Sequence, residues 1–396
     1  MSSTQTQTII SSGLTTHRLS SGDVHTKPLK TSGATDSYKQ SDVTPSMGTI
    51  FEDFNIADIL HSPDGDANIR DLAIIVSRRG FVVLPKQTNL SVEDQKLLVR
   101  KLGELTTRPY TSDIWIHPVN YTKLPDGSLD GEVMSPSRDP KKKLYIQEAG
   151  FSKETEKKQS RADGWHIDGS FEKVPPDYTT LHMKLTPDCG GDTLFASAYE
   201  AYDLLSPPIA RLLESLNATF MPWNHKPENV IDRLWPGTRG APENFGPELR
   251  SSHPCIRTNP VTGWKSLFAF GHHLLEVEGL GDMENKFMCE FLQKLIIENH
   301  QNQARVKWAP GDLIIWDNRA VYHVHSPQRP FLRGVEHNAD LCFLASARLT
   351  TTVAAAYDVQ IESVVPGRCL TLIRDLQGVG TPWASSHAVP QGCDFS

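Results

Sequence analysis

Trp165-His166-Ile167-Asp168-Gly169 contains the only His-x-Asp in the chain. In an extended segment the two-residue period of a strand carries both side chains to one face, so an imidazole and a carboxylate can reach the same ion. With a second imidazole, two nitrogens and one carboxylate oxygen occupy one face of an octahedral metal. Three positions then stay vacant, the arrangement that non-haem Fe(II) oxygenases use for a co-substrate and dioxygen. The third ligand has to come from elsewhere, and Asp317-Asn318-Arg319-Ala320-Val321-Tyr322-His323 is the best source. Spacing alone leaves His325 open as a rival, since it shares a face with His323 in an extended stretch. His272 and His273 would point opposite ways in a strand. With 15 histidines among 396 residues, one His-x-Asp arises by chance, and a zinc hydrolase or a metal-free barrel can carry it too.

Several further segments, taken in order, resemble the taurine dioxygenase and 2,4-dichlorophenoxyacetate dioxygenase family of Fe(II)/2-oxoglutarate enzymes. Trp165-His166-Ile167-Asp168 with Phe171 and Pro175-Pro176 is similar to the family's first metal motif. Gly190 to Ser197 (GGDTLFAS) is similar to its next strand, and His253-Pro254 with Arg257 to Gly263 (RTNPVTG) to the hairpin that follows. Trp316-Asp317-Asn318-Arg319 leading to His323 is similar to the segment carrying the distal histidine, and the resemblance covers roughly residues 68 to 344. It implies a double-stranded β-helix of the jelly-roll or cupin type, with His166, Asp168 and His323 as both the catalytic and the metal-binding residues. It selects His323 over His325, because the family's ligand stands four residues after the Arg of its Asp-Asn-Arg. It also implies Fe(II), 2-oxoglutarate and O2 as cofactor and co-substrates, with Thr193 and Arg333 on the distal carboxylate of 2-oxoglutarate. A bidentate guanidinium suits a buried carboxylate in a way that Lys does not.

Departures from the family pattern bear on the primary substrate. The taurine enzyme holds its sulfonate with an arginine four residues beyond the co-substrate arginine, where this chain has His337, and with a histidine before a proline, where it has Arg108-Pro109. Taurine is therefore disfavoured, whereas Arg108 suits a carboxylate. Leu341 and Phe343 alternate toward the interior of the expected barrel. The resemblance thus points to oxidation of a C–H bond in a small carboxylate-bearing molecule, such as an α-amino acid of secondary metabolism, by hydroxylation, desaturation or cyclisation with release of succinate and CO2. An aspartate at 168 disfavours halogenation, whose enzymes carry a small residue there. The competing readings are a non-catalytic iron-binding barrel with a regulatory role, and a zinc hydrolase. The second lacks an evident general base beside the His-x-Asp.

The elements that must position these residues can be read from hydrophobic period. Ile69, Leu72, Ile75 and Val76 predict a helix from about residue 68 to Gly80, followed by a strand over 81–84. Ser91 with Asp94 resembles a capping box, and Leu97, Leu98 and Leu102 continue it as a helix ending at Gly103. Strands are expected over 144–147, 179–185, 192–196, 255–259, 266–270, 313–316 and 341–344, with a hairpin turn at Val261-Thr262-Gly263. Two helices interrupt them, 199–216 broken at Pro207-Pro208, and 284–299 with Phe287, Phe291, Leu295 and Ile296 on one side. Many short strands with a few covering helices make a mainly β jelly-roll barrel, and no internal repeat is present. The Ser/Thr-rich residues 1–48 are expected to form a flexible tail. Residues 49–396 then form a single domain.

Composition narrows the classes further. A net charge of -7 and only a short basic run at Lys141 to Lys143 argue against nucleic acid as a partner. Six scattered cysteines without a CxxC pair fit a reducing compartment. No signal peptide and no apolar run of membrane length is evident, which places the protein in the cytoplasm and away from membranes. Cys393 to Ser396 formally fits a prenylation box, but Asp394 sits where an aliphatic residue belongs. The expected partner is a small-molecule substrate, and a homo-oligomer is compatible with this reading.

Overall fold

The computed structural model describes residues 27–123, 129–133, 164–184, 186, 190–222, 234–325 and 341–347, with 122–123 and 341–347 given as backbone alone. These residues hold more strand than helix. The framework is a seven-stranded sheet in the order Gln40–Asp42, Thr49–Phe51, Phe81–Leu84, Leu313–Asp317, Pro176–Met183, Leu341–Ala347, Ile114–Trp115. Thr49–Phe51 pairs parallel to Phe81–Leu84, and the other pairs in this sheet are antiparallel. A three-stranded sheet in the order Gln303–Val306, Thr193–Ser197, Val321–His325 faces it.

Alternation along the strands shows why two apolar layers form. Val82, Leu84, Leu313 and Ile315 point to one side of the large sheet, where the helices Gly65–Arg79 and Val92–Glu104 cover them with Ile69, Leu72, Val76, Leu98 and Leu102. Phe81, Val83, Ile314 and Trp316 point to the other side and meet Phe195, Val306, Trp308 and Val321 of the facing sheet region. The rings of Phe81 and Phe195 stack at 4.6 Å across this interface. Strands buried on both faces read as continuous apolar runs, as FVVL and LIIW do. A third apolar cluster joins the sheet of Asn217–Phe220, Ser251–Pro254 and Leu274–Val277 to the helix Asp282–Ile297.

Local signals explain the boundaries. The Ser91 side chain accepts from Asp94 N and starts its helix. Pro207 at the first turn of Pro207–Glu214 separates that helix from Ala198–Asp203. The strands Ile256–Thr258 and Lys265–Leu267 pair across the expected turn, where Gly263 adopts φ +74°.

Three expectations change. From residue 27 onward the tail is packed: Leu29 is buried with Ile74 and Val261, and Met47 lies in the core between the sheets. The buried Asp71 carboxylate accepts from the backbone N–H of Ser32, Gly33 and Ala34, which ties this segment to its helix. The segment is ordered despite its low hydrophobicity because a hydrogen-bonded carboxylate adds to the burial of a few apolar side chains. In Asp282–Ile297 the buried residues are Met288, Leu292 and Ile296, whereas Phe287 is 66% exposed, so the covered stripe is rotated from the expected one. His272 and His273 lie in a turn rather than a strand, and their Nε2 atoms converge to 2.8 Å. The strand expected at 144–147, the residues Arg333 and His337, the side chains of Leu341 and Phe343, and residues 393–396 lie outside the described residues. Among the described residues no helix is long and apolar enough to cross a membrane.

Candidate metal centre

The strand Val321–His325 carries His323 into the interior, fully buried. His166 pairs with it in a β-bridge in which each backbone N–H donates to the other residue's carbonyl at 3.0 Å. That bridge brings two residues distant in sequence to one place, and it sets their rings 4.2 Å apart. Asp168, two residues along the same extended segment, presents Oδ1 at 3.7 Å from His166 Nε2 and 3.6 Å from His323 Nε2. One ligand atom from each residue lies within 4.8 Å of the other two.

Hydrogen bonds fix the orientation of two of the three groups. His166 Nδ1 lies 2.9 Å from the Gly164 carbonyl, which can only accept, so Nδ1 holds the proton and Nε2 offers its lone pair. Thr179 Oγ1 donates to Asp168 Oδ2 at 2.9 Å. Asn318 Nδ2 donates to that hydroxyl at 2.7 Å, and Trp316 Nε1 donates to Asn318 Oδ1 at 3.0 Å. This chain of donors occupies Oδ2 and leaves Oδ1 turned to the histidines. His323 differs: both of its ring nitrogens are buried without a hydrogen-bond partner among the described residues.

The donor set fits a divalent cation. Burial pushes the Asp168 carboxyl up, with His166 and the Thr179 hydrogen bond opposing it. Burial, then the neighbouring His166, hold His323 well below the usual imidazole range, so it is neutral with a lone pair available. A carboxylate whose charged form burial disfavours and a buried imidazole without a hydrogen-bond partner are both unfavourable alone. A cation bound to both relieves both. Two imidazole nitrogens and one carboxylate oxygen suit iron of the facial-triad type.

His325, the rival ligand, is outside this group: its Nδ1 lies 3.1 Å from Thr193 Oγ1. Thr193 is buried on the neighbouring strand and pairs in register with His325, as Phe195 does with His323. Arg108 folds back over Gly103, with Nη2 2.7 Å from Glu104 Oε1 and Nη1 3.6 Å from Asp113 Oδ1. Its Nε and Nη1 have no hydrogen bond among the described residues. The backbone of Leu341 and Phe343 pairs with Met183 and Leu181.

Sequence reasoning gave no role to Thr179, Asn318 or His272. Asn318 sits inside the quoted Asp-Asn-Arg, but nothing in a strand pattern marks Thr179. The ring of His272 lies 4.7 Å from that of His166, because Gly271 at φ +106° lets the turn approach the backbone of Trp165 and His166. A glycine before two histidines was the only available cue.

Comparison with known proteins gives a consistent result. Residues 39–330 match the family described as taurine catabolism dioxygenase TauD, TfdA family. The chain is 41% identical to the alpha-ketoglutarate-dependent dioxygenase oryG of Aspergillus oryzae, over 75% of this chain and 85% of that protein. It is 40% identical to the alpha-ketoglutarate-dependent dioxygenase btcD of Neocamarosporium betae, over 75% of this chain and 88% of that one. The crystal structure of a taurine dioxygenase from Burkholderia xenovorans superposes with a TM-score of 0.56 at 21% identity, covering 79% of this chain and 90% of that one. This likeness shows the cupin-type fold.

Proposed function

This chain belongs to the TauD, TfdA family of dioxygenases, and we propose that it is an Fe(II)- and 2-oxoglutarate-dependent oxygenase acting on a small carboxylate-bearing molecule. The substrate we favour is an α-amino acid of secondary metabolism. The observation that carries the reading is the meeting of His166, Asp168 and His323, with both ring nitrogens of His323 buried and without a hydrogen-bond partner among the described residues. Relatives named as alpha-ketoglutarate-dependent dioxygenases at 37–41% identity support the co-substrate.

A ferrous ion held by the three residues supplies, with 2-oxoglutarate and dioxygen, oxidation of a C–H bond coupled to decarboxylation of the oxoacid to succinate and CO2. The protein's own part is orientation. His166 offers Nε2 with its tautomer fixed by Gly164, Asp168 offers Oδ1 with Oδ2 held by Thr179, and His323 is fixed by packing against Trp316 and Phe195. Thr193 and Arg333 take the far carboxylate of 2-oxoglutarate. Arg108, with His337, Leu341 and Phe343, forms the substrate side. The unpartnered donors of Arg108 favour an anion, although Glu104 and Asp113 already share its charge. The cytoplasm is the proposed location.

Anaerobic addition of Fe(II) and 2-oxoglutarate tests the reading. A lilac charge-transfer absorption supports it, because that colour requires the oxoacid to chelate protein-held iron. Iron binding without the absorption overturns it. A panel of carboxylates, amines and sulfonates scored by succinate release then ranks substrates, and unchanged turnover in Arg108→Ala would remove the proposed anion contact.

A further inference from the structure

Thr193 can serve a carboxylate only if its hydroxyl hydrogen is free to donate. Among the described residues Thr193 Oγ1 has two polar neighbours, Trp308 Nε1 at 3.2 Å and His325 Nδ1 at 3.1 Å. The indole N–H can only donate, so it fills one lone pair of the hydroxyl. The second contact has two forms. If Thr193 donates to His325, its one hydrogen is spent, and a carboxylate, which only accepts, finds no donor there. If His325 carries its proton on Nδ1 and donates, both lone pairs of Oγ1 are filled and the hydrogen is turned elsewhere.

We propose that His325 is a positioning residue for 2-oxoglutarate, whose Nδ1–H joins Trp308 in aiming the Thr193 hydroxyl hydrogen at the far carboxylate. The register supports the placement. His325 faces Thr193 and His323 faces Phe195 across the same pair of strands, and the two imidazoles lie 5.8 Å apart on one side of the sheet. The histidine that rivals His323 for the metal thus has a task of its own one pleat away. Trp308 is buried and His325 is exposed, so the indole gives a fixed donor while the imidazole borders accessible space. This inference rests on the co-substrate reading above.

The test compares two oxoacids on the Fe(II)-loaded protein under anaerobic conditions, read by the charge-transfer absorption. 2-Oxobutanoate chelates through the same keto and carboxylate groups as 2-oxoglutarate but lacks the far carboxylate. His325→Phe removes the donor, and His325→Asn restores an N–H near the Nδ1 position. The expected result is a roughly three- to tenfold weaker half-saturation for 2-oxoglutarate in His325→Phe. Recovery in His325→Asn, unchanged 2-oxobutanoate binding and unchanged Fe(II) affinity are expected with it. Equal 2-oxoglutarate affinity in His325→Phe, an equal loss for both acids, or no recovery with Asn would overturn the proposal. Absence of the absorption with either acid in the unaltered protein would overturn the co-substrate reading itself, and this proposal with it.

Discussion

Two buried polar clusters stand at either end of the turn after strand Leu313–Asp317, and they are built on opposite rules. In the first, the Asp317 carboxylate accepts from Arg319 Nε and Nη2 at 2.7 Å, from Arg319 N at 2.8 Å, from Ser77 Oγ at 2.6 Å and from Asn259 Nδ2 at 3.0 Å. Arg319 Nη1 also lies 3.2 Å from Asp177 Oδ2, and its guanidinium sits 4.8 Å from the Tyr178 ring centre. In the second, His323 has no hydrogen-bond partner for either nitrogen among the described residues, and Asp168 keeps one oxygen turned toward two imidazoles. Protein interiors satisfy their buried polar groups almost everywhere. The fully hydrogen-bonded Asp317 carboxylate is therefore scaffold, and the unpartnered imidazole beside it marks a place for a ligand.

The contrast is sharpest in how each cluster contributes to stability. Burial alone would raise the Asp317 carboxyl, but Arg319, Ser77 and Asn259 together hold it below the usual carboxylate range. Its contribution is thus complete at neutral pH and is lost as pH falls through that depressed value. Arg319→Met strands two buried carboxylates, and it should lower folding stability by roughly 3–5 kcal/mol with or without metal. Urea unfolding at neutral pH measures this. A loss below about 1 kcal/mol would mean that the cluster is not scaffold.

Thr179→Val probes the boundary between the clusters. It removes the hydrogen bond to Asp168 Oδ2 while keeping the shape of the side chain, and should weaken Fe(II) affinity roughly 10–100-fold. Metal-free stability should move by only about 1 kcal/mol. Isothermal titration with Fe(II) or Mn(II), paired with chemical unfolding of the apoprotein, separates the two quantities. An unchanged metal affinity would show that Asp168 needs no second partner.

The smallest effect has the opposite sign. Asp168→Asn removes a carboxylate whose charged form burial disfavours, so the apoprotein should gain about 1 kcal/mol of stability. The same variant should lose any rise in melting temperature on adding metal. Loss of apoprotein stability instead would place Asp168 with the scaffold.

What could be read from the chain beforehand follows the same division. His166 and Asp168 stand out because a strand's period puts an imidazole and a carboxylate on one face, whereas spacing leaves His323 and His325 level and only the family resemblance separates them. The strands 81–84 and 313–317 were legible because burial on both faces leaves continuous apolar runs. Thr179, Asn318 and Trp316 were not, since a relay of three hydrogen bonds across two strands leaves no periodic trace. The packed segment from residue 27 was missed for a related reason: its anchor is Asp71, a carboxylate on a helix face, which composition scores as solvent-exposed. The face of Asp282–Ile297 was misjudged because Phe287 and Met288 are both apolar, and only the neighbouring sheet decides which of them is covered.

His323 is thus proposed to hold the metal and His325 to serve the co-substrate. Anaerobic Fe(II) titration of the native chain, His323→Gln and His325→Phe tests this assignment most directly. One ferrous ion is expected per native chain, none in His323→Gln, and one held with native affinity in His325→Phe. Retention of iron by His323→Gln together with its loss from His325→Phe would contradict it.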